Sequence, residues 1–378
     1  MPGRANTAAL VPSPLANDPV RVVSIGGGTG LSTVLSGLKE YARGVHGELP
    51  ALGPPEVDIT AVVTVSDDGG SSGRLRREFD ILPPGDIRNC MVALSEDEAL
   101  LSKLFQYRFH SGTGLKGHSF GNLFLAALNQ ITGDFSSAVR LSSEILAIRG
   151  NIFPATASNV TLEARFPGGR VVSGESKISK SRQPIEKISL KPSRCRPLPE
   201  ALDAIAQADI ITLGPGSLYT SVIPNLLVKG IPEAIERSPA LKLYFVNLMW
   251  QPGETLNFTA SQHVEAILKH ARGRKVMDYV VLNTAPISGA LKRKYAEHNV
   301  EPVDNDFERL NALGVKIVAA DLVGDSKLVR HQPRATAKII VALAMRSRQD
   351  RLQDDRLPED RLQKPKVRLI RRRVRLQL

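Results

Sequence analysis

Apolar residues fall along this chain in short blocks that alternate with amphipathic stretches. Near-continuous apolar runs occupy residues 21–25, 58–65, 209–213, 241–246, 278–282 and 315–320. Runs without polar alternation predict strands covered on both faces, as in parallel sheets. Between them the spacing is helical. After the first run, Leu31, Val34, Leu35 and Leu38 recur at i, i+3, i+4 and i+7, which places them on one helix face. Helices are predicted over 29–42, 86–107, 119–131, 136–147, 199–207, 218–228, 261–271 and 335–347. Strands alternating with helices predict an α/β class, a doubly wound fold on a mostly parallel sheet. Residues 159–191 depart from that alternation. Two β-rich runs flank Pro167-Gly168-Gly169 there, which predicts a hairpin or antiparallel edge within a small insert.

Length and composition set the frame around this pattern. A chain of 378 residues with 42% apolar side chains can build a large core. The expected organisation is a lead over 1–19, one α/β domain over 20–347 and a tail over 348–378. The lead is rich in Pro and Ala, lacks the apolar segment of a signal peptide and is expected to be disordered. No apolar run approaches the ~18 residues of a membrane span. Two cysteines, Cys90 and Cys195, give neither a disulfide framework nor a metal cluster. A cytoplasmic location is therefore expected.

The formal net charge of +12 is unevenly placed. From Arg346 to Leu378 there are 12 Lys and Arg against 5 Asp and Glu, a net +7 in the last 33 residues. The near-repeats DRLQ, DRLP and DRLQ begin at 350, 355 and 360. This reads as a solvated, low-complexity appendage with at most weak attraction for polyanions such as RNA or anionic lipid. The body carries no comparable charge, so the tail does not define its function.

Candidate chemistry clusters where strands end. The first run stops at Gly26-Gly27-Gly28-Thr29-Gly30 and passes directly into a helix. Bare N–H groups and a helix N-terminus together favour an anion such as phosphate. The segment is not G-x-G-x-x-G, because Leu31 stands where the third glycine belongs, and no Gly-Lys-Ser/Thr follows as in a Walker A loop. The same strand, glycine turn and helix recur at Gly214-Pro215-Gly216-Ser217 after the run 209–213. Two such turns in one sheet suit a diphosphate-bearing ligand.

A third segment, VSDDGGSSGRLRREFDILPPGDIRN over 65–89, reads as a polar loop after the second strand. Asp67 and Asp68 there could accept from ribose hydroxyls or, with Asp86, hold a hard cation on oxygen ligands. Gly70, Ser71, Ser72 and Arg74 could meet phosphate, and Asn89 extends the polar set. The fourth segment, GLKGHSFGN over 114–122, supplies Ser119 and Asn122 as caps for the following helix. His118 could donate to an oxyanion or exchange a proton near neutral pH, which makes it the one catalytic candidate. Asn151 and Asn247 are further ligand candidates, while Trp250 reads as a gap filler rather than a stacking platform. Each segment also has a plain reading as a tight turn or a satisfied core residue. No Cys/His cluster, nucleophile elbow or His-Glu-x-x-His is present. The set is better equipped to hold a ligand than to break a bond.

Taken in order, GGGTG, SDDGGSSGRLR, GDIRN, GHSFGNL and LGPGSLYTS resemble the YvcK-type gluconeogenesis factors of the YvcK/CofD-like superfamily, over roughly residues 20–345. The resemblance implies a Rossmann-like nucleotide-binding fold and UDP-sugar binding, notably of UDP-N-acetylglucosamine. It also implies a regulatory role in cell shape, wall integrity and growth on gluconeogenic carbon sources, with no established enzymatic activity for this branch. The CofD branch is the alternative, a 2-phospho-L-lactate transferase with a divalent metal on aspartates. Asp67 and Asp86 would be their counterparts and Mg2+ the cation. The glycine-rich stretch Gly69 to Arg74 departs from that branch's more acidic continuation. A protein partner or a homo-oligomer would be compatible with a regulatory role, and the sequence specifies neither.

Overall fold

A computed structural model describes residues 18–42, 55–96, 100–181, 183–324 and 327–354. The lead expected over 1–19 lies outside the described residues except for 18 and 19, and so does the tail beyond 354.

The strands in chain order are β1 (Val20–Gly26), β2 (Val57–Val63), β3 (Asn151–Pro154), β4 (Thr161–Arg165), β5 (Val171–Ser173), β6 (Lys187–Lys191), β7 (Ile210–Leu213), β8 (Leu241–Phe245), β9 (Tyr279–Asn283) and β10 (Lys316–Ala320). Seven of them form one sheet in the order β10-β9-β8-β7-β1-β2-β3, and every pairing is parallel. All six expected strands lie in this sheet. The seventh, β3, is short and ends on Pro154, which an edge strand tolerates because no further ladder bond is required of it.

The topology decides where a ligand can sit. From β1 the chain steps outward through β2 to β3, then returns to β7 on the other side of β1 and continues outward to β10. That reversal makes a switch point between β1 and β7, and open α/β sheets bind ligands beyond the carboxyl ends of the strands at such a point. Both strands are anchored in the core: Val22, Ile25, Ile210, Ile211 and Leu213 have no exposed surface. The helix Gly28–Leu38 buries Leu31, Val34, Leu35 and Leu38, the predicted face, against β1 and the helices Gly85–Leu94 and Pro333–Asp354. Each such leucine contributes roughly 1.5–3 kcal/mol.

The insert forms its own antiparallel sheet, β5-β4-β6, rather than an edge of the main one. Asp68 ties it to the body, because its Oδ1 accepts from Ser176 N at 2.9 Å.

Three expected boundaries shift for identifiable reasons. Residues 70–79, expected as loop, form the helix Gly70–Phe79; Leu75 packs against Ile81 and Ala126, and Arg76 and Arg77 lie in the last turn, where the helix dipole favours cations. The helix expected over 86–107 is two, Gly85–Leu94 and Leu100–Gln106, and the first ends where Ser95 turns extended. The last helix, expected to stop at 347, runs Pro333–Asp354. Two of the arginines assigned to the tail hold it there. Arg348 and Arg351 both pair with Asp209, at 2.6 and 2.7 Å, and Arg348 also donates to Pro19 O at 2.9 Å. Asp209 precedes β7 and Pro19 precedes β1. The helix thus ties together the amino ends of the two strands whose carboxyl ends carry the glycine turns.

Candidate functional site

At the switch point the two glycine turns touch. A Cβ on Gly30 would lie 2.2 Å from Pro215 O, so no larger residue fits between them without moving backbone. Gly28 sits at φ +59°, a left-handed conformation that glycine adopts without strain. Asn225 braces the contact from behind, donating through Nδ2 to Gly26 O at 3.2 Å and to Ser221 O at 2.8 Å.

The loop after β8 fixes the second turn. Gln251 Nε2 donates to Ser217 Oγ at 2.9 Å, and Gln251 Oε1 accepts from Asn247 Nδ2 at 2.9 Å. Glu254 is buried beneath the π-helical turn Leu218–Val222, accepting from Tyr219 N at 3.1 Å and Thr220 Oγ1 at 3.0 Å. Burial raises its pKa, and those hydrogen bonds oppose the rise.

These elements enclose a crevice of about 410 Å3. Its walls include Gly27 to Gly30, Asp86, Pro215 to Ser217, the β8 loop, Glu175 and the segment Val329 to His331. Arg330 brings a guanidinium to it. Tyr295 lines the same wall and holds that segment, its hydroxyl accepting from Val329 N at 3.1 Å. His331 donates Nε2–H to Val246 O at 3.2 Å, and burial lowers its pKa to about 4, so it is neutral at pH 7. Trp250 lies in the crevice wall with its indole N–H on Phe258 O at 3.0 Å, a position the gap-filler reading did not anticipate.

The crevice floor is acidic. Asp86 reaches up beneath the first turn, close enough that a Cβ on Gly27 would lie 2.7 Å from its Oδ2. Withdrawal from water, then the Asp67 carboxylate, raises its pKa to about 6, against the opposing effect of the Gly28 N–H that it accepts. Burial also lifts Glu175 well above the usual carboxylate range, helped by Asp67 and Asp86. Asp67 is raised by burial, although Gly69 N at 2.8 Å and the Ser72 hydroxyl favour its charged form. Asp86 therefore already engages the Gly28 N–H. A phosphate would rely on the first-turn N–H groups that follow, which have no intrahelical partner.

Whether this floor fits Mg2+ can be judged from its donors. Among the described residues no three His, Cys, Asp or Glu side chains are grouped to hold a metal ion by themselves. Asp67 Oδ2 lies over Gly85, 3.1 Å from where a Cβ would be, next to Asp86. Two carboxylates completed by phosphate oxygens and water are a usual Mg2+ environment, so the pair fits a cation shared with a ligand.

The structure does not bring every sequence candidate to the crevice. Ser71, Ser72, His118, Ser119 and Asn122 are buried in a network beside it, joined to the acidic floor where the Ser72 hydroxyl donates to Asp67. Ser71 Oγ lies 3.0 Å from His118 Nδ1, and Asn122 Nδ2 donates to Ser72 Oγ at 3.3 Å. Arg88 donates to Ser119 Oγ and to Asn89 Oδ1, both at 2.7 Å. Burial and the charge of Arg74 lower the His118 pKa. The serines are withdrawn because the supposed loop is a helix that turns them inward. Asp68 holds the insert, and Gly70 opens that helix with open space where a Cβ would stand. Asn151 is exposed at the start of edge strand β3, away from the carboxyl ends. The sequence reading missed Glu175, Gln251, Tyr295 and Arg330. Gln251 follows a predicted strand and was findable by the carboxyl-end rule, whereas the other three come from segments with no glycine motif.

With the geometry in hand, comparison with known proteins is informative. The family model for the 2-phospho-L-lactate transferase CofD matches residues 22–323. The putative gluconeogenesis factor of Nostoc sp. is 49% identical over 323 residues, covering 85% of this chain and 68% of its own. The gluconeogenesis factor of Bacillus subtilis is 47% identical over 324 residues, covering 85% of this chain and 98% of its own. An X-ray structure of a Bacillus halodurans protein matches with a TM-score of 0.80 at 47% identity, covering 86% of this chain and 100% of that one. The chain belongs to the CofD-like family, among its gluconeogenesis factors. Among the described residues no helix is long and apolar enough to cross a membrane.

Proposed function

We propose that this gluconeogenesis factor of the CofD-like family binds a nucleotide sugar of the UDP-N-acetylglucosamine kind in the switch-point crevice. On this reading it is a cytoplasmic binding regulator linked to cell shape, wall integrity and growth on gluconeogenic carbon sources. The observation that carries the reading is the meeting of two glycine turns at one switch point. One ligand can then span both turns with its diphosphate, and Arg330 lines the same crevice as a counter-charge. The first-turn N–H groups of the helix Gly28–Leu38 favour negative charge there. Ser71 and His118, although hydrogen-bonded to each other, lie outside the crevice lining, so that pair does not face a ligand held there. A thermal-shift comparison tests the reading: UDP-N-acetylglucosamine should stabilise the protein more than ATP or NAD at equal concentration, and equal shifts for all three would refute it.

The acidic floor favours a second reading, a cation-assisted phosphoryl transfer of the CofD kind. Asp67 and Asp86 would hold Mg2+, which would neutralise phosphate oxygens held close to Asp86. A strong loss of ligand affinity in EDTA, restored by Mg2+, together with turnover of an acceptor, would favour this reading. Binding indifferent to EDTA favours the first.

A further inference from the structure

We propose that a second cavity beside the crevice is the compartment for the base of the nucleotide ligand; this rests on the nucleotide-sugar reading above and extends it. The cavity has a volume of about 340 Å3, within the range of small-molecule sites, and lies beyond the carboxyl ends of β8 and β9. Asn247 and Leu248 line both cavities, so the two are adjoining compartments along one edge of the sheet. The helix Gly289–Ala296 flanks both as well. Lys292 lines the second cavity, and Tyr295, three residues on and on the same helix face, lines the first.

The chemistry of the two compartments differs. The first has glycine-turn N–H groups, carboxylates and Arg330, which suit phosphates and sugar hydroxyls. The second is walled by Pro286, Ile287, Pro302, Val303 and Phe307. Hydroxyls or phosphate oxygens against those side chains would lose water without gaining partners. A planar heteroaromatic ring would bury its faces there at no such loss. The polar edge of the cavity carries the amides of Asn247, Asn283 and Asn305 beside Thr284 and Lys292. Asn305 gives one N–H to Asn283 O at 2.7 Å, and Asn283 is fixed in turn by Ala285 O at 2.9 Å and Leu322 N at 3.0 Å. A primary amide has a second N–H and a carbonyl with two lone pairs, so Asn305 can present a donor and an acceptor side by side. That is the complement of a pyrimidine edge, where a ring N–H adjoins a carbonyl. The cavity is also rigidly backed, because Val303 N donates to Leu248 O at 3.1 Å and Trp250 N to Glu301 O at 2.9 Å.

The direct test is photo-crosslinking of full-length wild-type protein with 4-thiouridine-labelled UDP-N-acetylglucosamine, followed by peptide mapping. The expected adducts fall in 283–287 or 302–307. Saturable binding with adducts only elsewhere, or with none in those segments, overturns the inference and leaves the nucleotide-sugar reading intact. Absence of saturable binding takes both down. Thr284→Trp, at the exposed rim, and Val303→Trp, inside the cavity, provide an independent check. Each folded variant should bind UDP-N-acetylglucosamine at least tenfold more weakly, and wild-type affinity in either refutes the proposal.

Discussion

Asp86 gives the sharpest test of how the crevice is built. Its carboxyl titrates near 6 in the folded chain and near 3.8 when unfolded. The native state therefore holds this proton over a pH range in which the unfolded state has released it, so the ionised group weakens folding. The sign follows from linkage: between about pH 4 and pH 6 this group's contribution to stability falls as pH rises, and above pH 6 the loss is complete. The displacement from 3.8 to about 6 corresponds to about 3 kcal/mol, trimmed to roughly 2 because the residue is half-buried rather than sealed from solvent. Asp86→Asn keeps an oxygen for the Gly28 N–H, removes the charge and relieves Asp67 and Glu175. It should raise urea-unfolding stability by about 2 kcal/mol at pH 7.5 in EDTA, with the gain vanishing near pH 4. A variant less stable than wild type at pH 7.5, or a gain unchanged at pH 4, would refute the argument. A carboxylate retained at such a cost beside a phosphate-ready turn is the expected mark of a functional residue.

Other perturbations probe the remaining parts. Gly28→Val forces a branched side chain into a left-handed position and into the crevice; nucleotide-sugar affinity, measured by calorimetry on folded protein, should fall more than tenfold, or by about 1.4 kcal/mol. Arg330→Ala should weaken binding by about tenfold through loss of a charge-assisted contact, and should reduce its dependence on salt in a titration from low to high NaCl. Truncation after Asp354 should leave thermal stability and ligand affinity within error. Truncation after Ser347 strips Arg348 and Arg351 from Asp209 and should lower stability by about 2 kcal/mol in urea unfolding. Equal behaviour of the two truncations would show that those ion pairs contribute little.

Much of this was legible in the chain because parallel strands announce themselves as unbroken apolar runs. The two glycine turns could be placed at strand ends from sequence, and the topology then brought them together. What sequence could not give was the fate of polar residues between elements. Ser71 and Ser72 looked like loop donors because Gly69, Gly70 and Gly73 disfavour helix, yet burial of Leu75 overrides that propensity and turns both serines inward. Arg348 and Arg351 sit in a run of charge that reads as solvated tail, and only the proximity of Asp209, 139 and 142 residues away, draws them into the body. Glu175 and Arg330 reach the crevice through long-range packing of the insert and the segment before the last helix, which no local pattern encodes.

The central claim is that the two glycine turns form one nucleotide-sugar site. The most direct measurement is a titration of UDP-N-acetylglucosamine into full-length protein by calorimetry, in parallel with the emission of Trp250, the only tryptophan in the chain, which lies in the crevice wall. The account predicts saturable one-to-one binding and a change in Trp250 emission that follows the same isotherm. It also predicts about 2.7 kcal/mol of added stability at 100 times the Kd, with ATP and NAD far weaker. No heat and no fluorescence change at millimolar ligand, or ATP binding as tightly as the UDP-sugar, would contradict it.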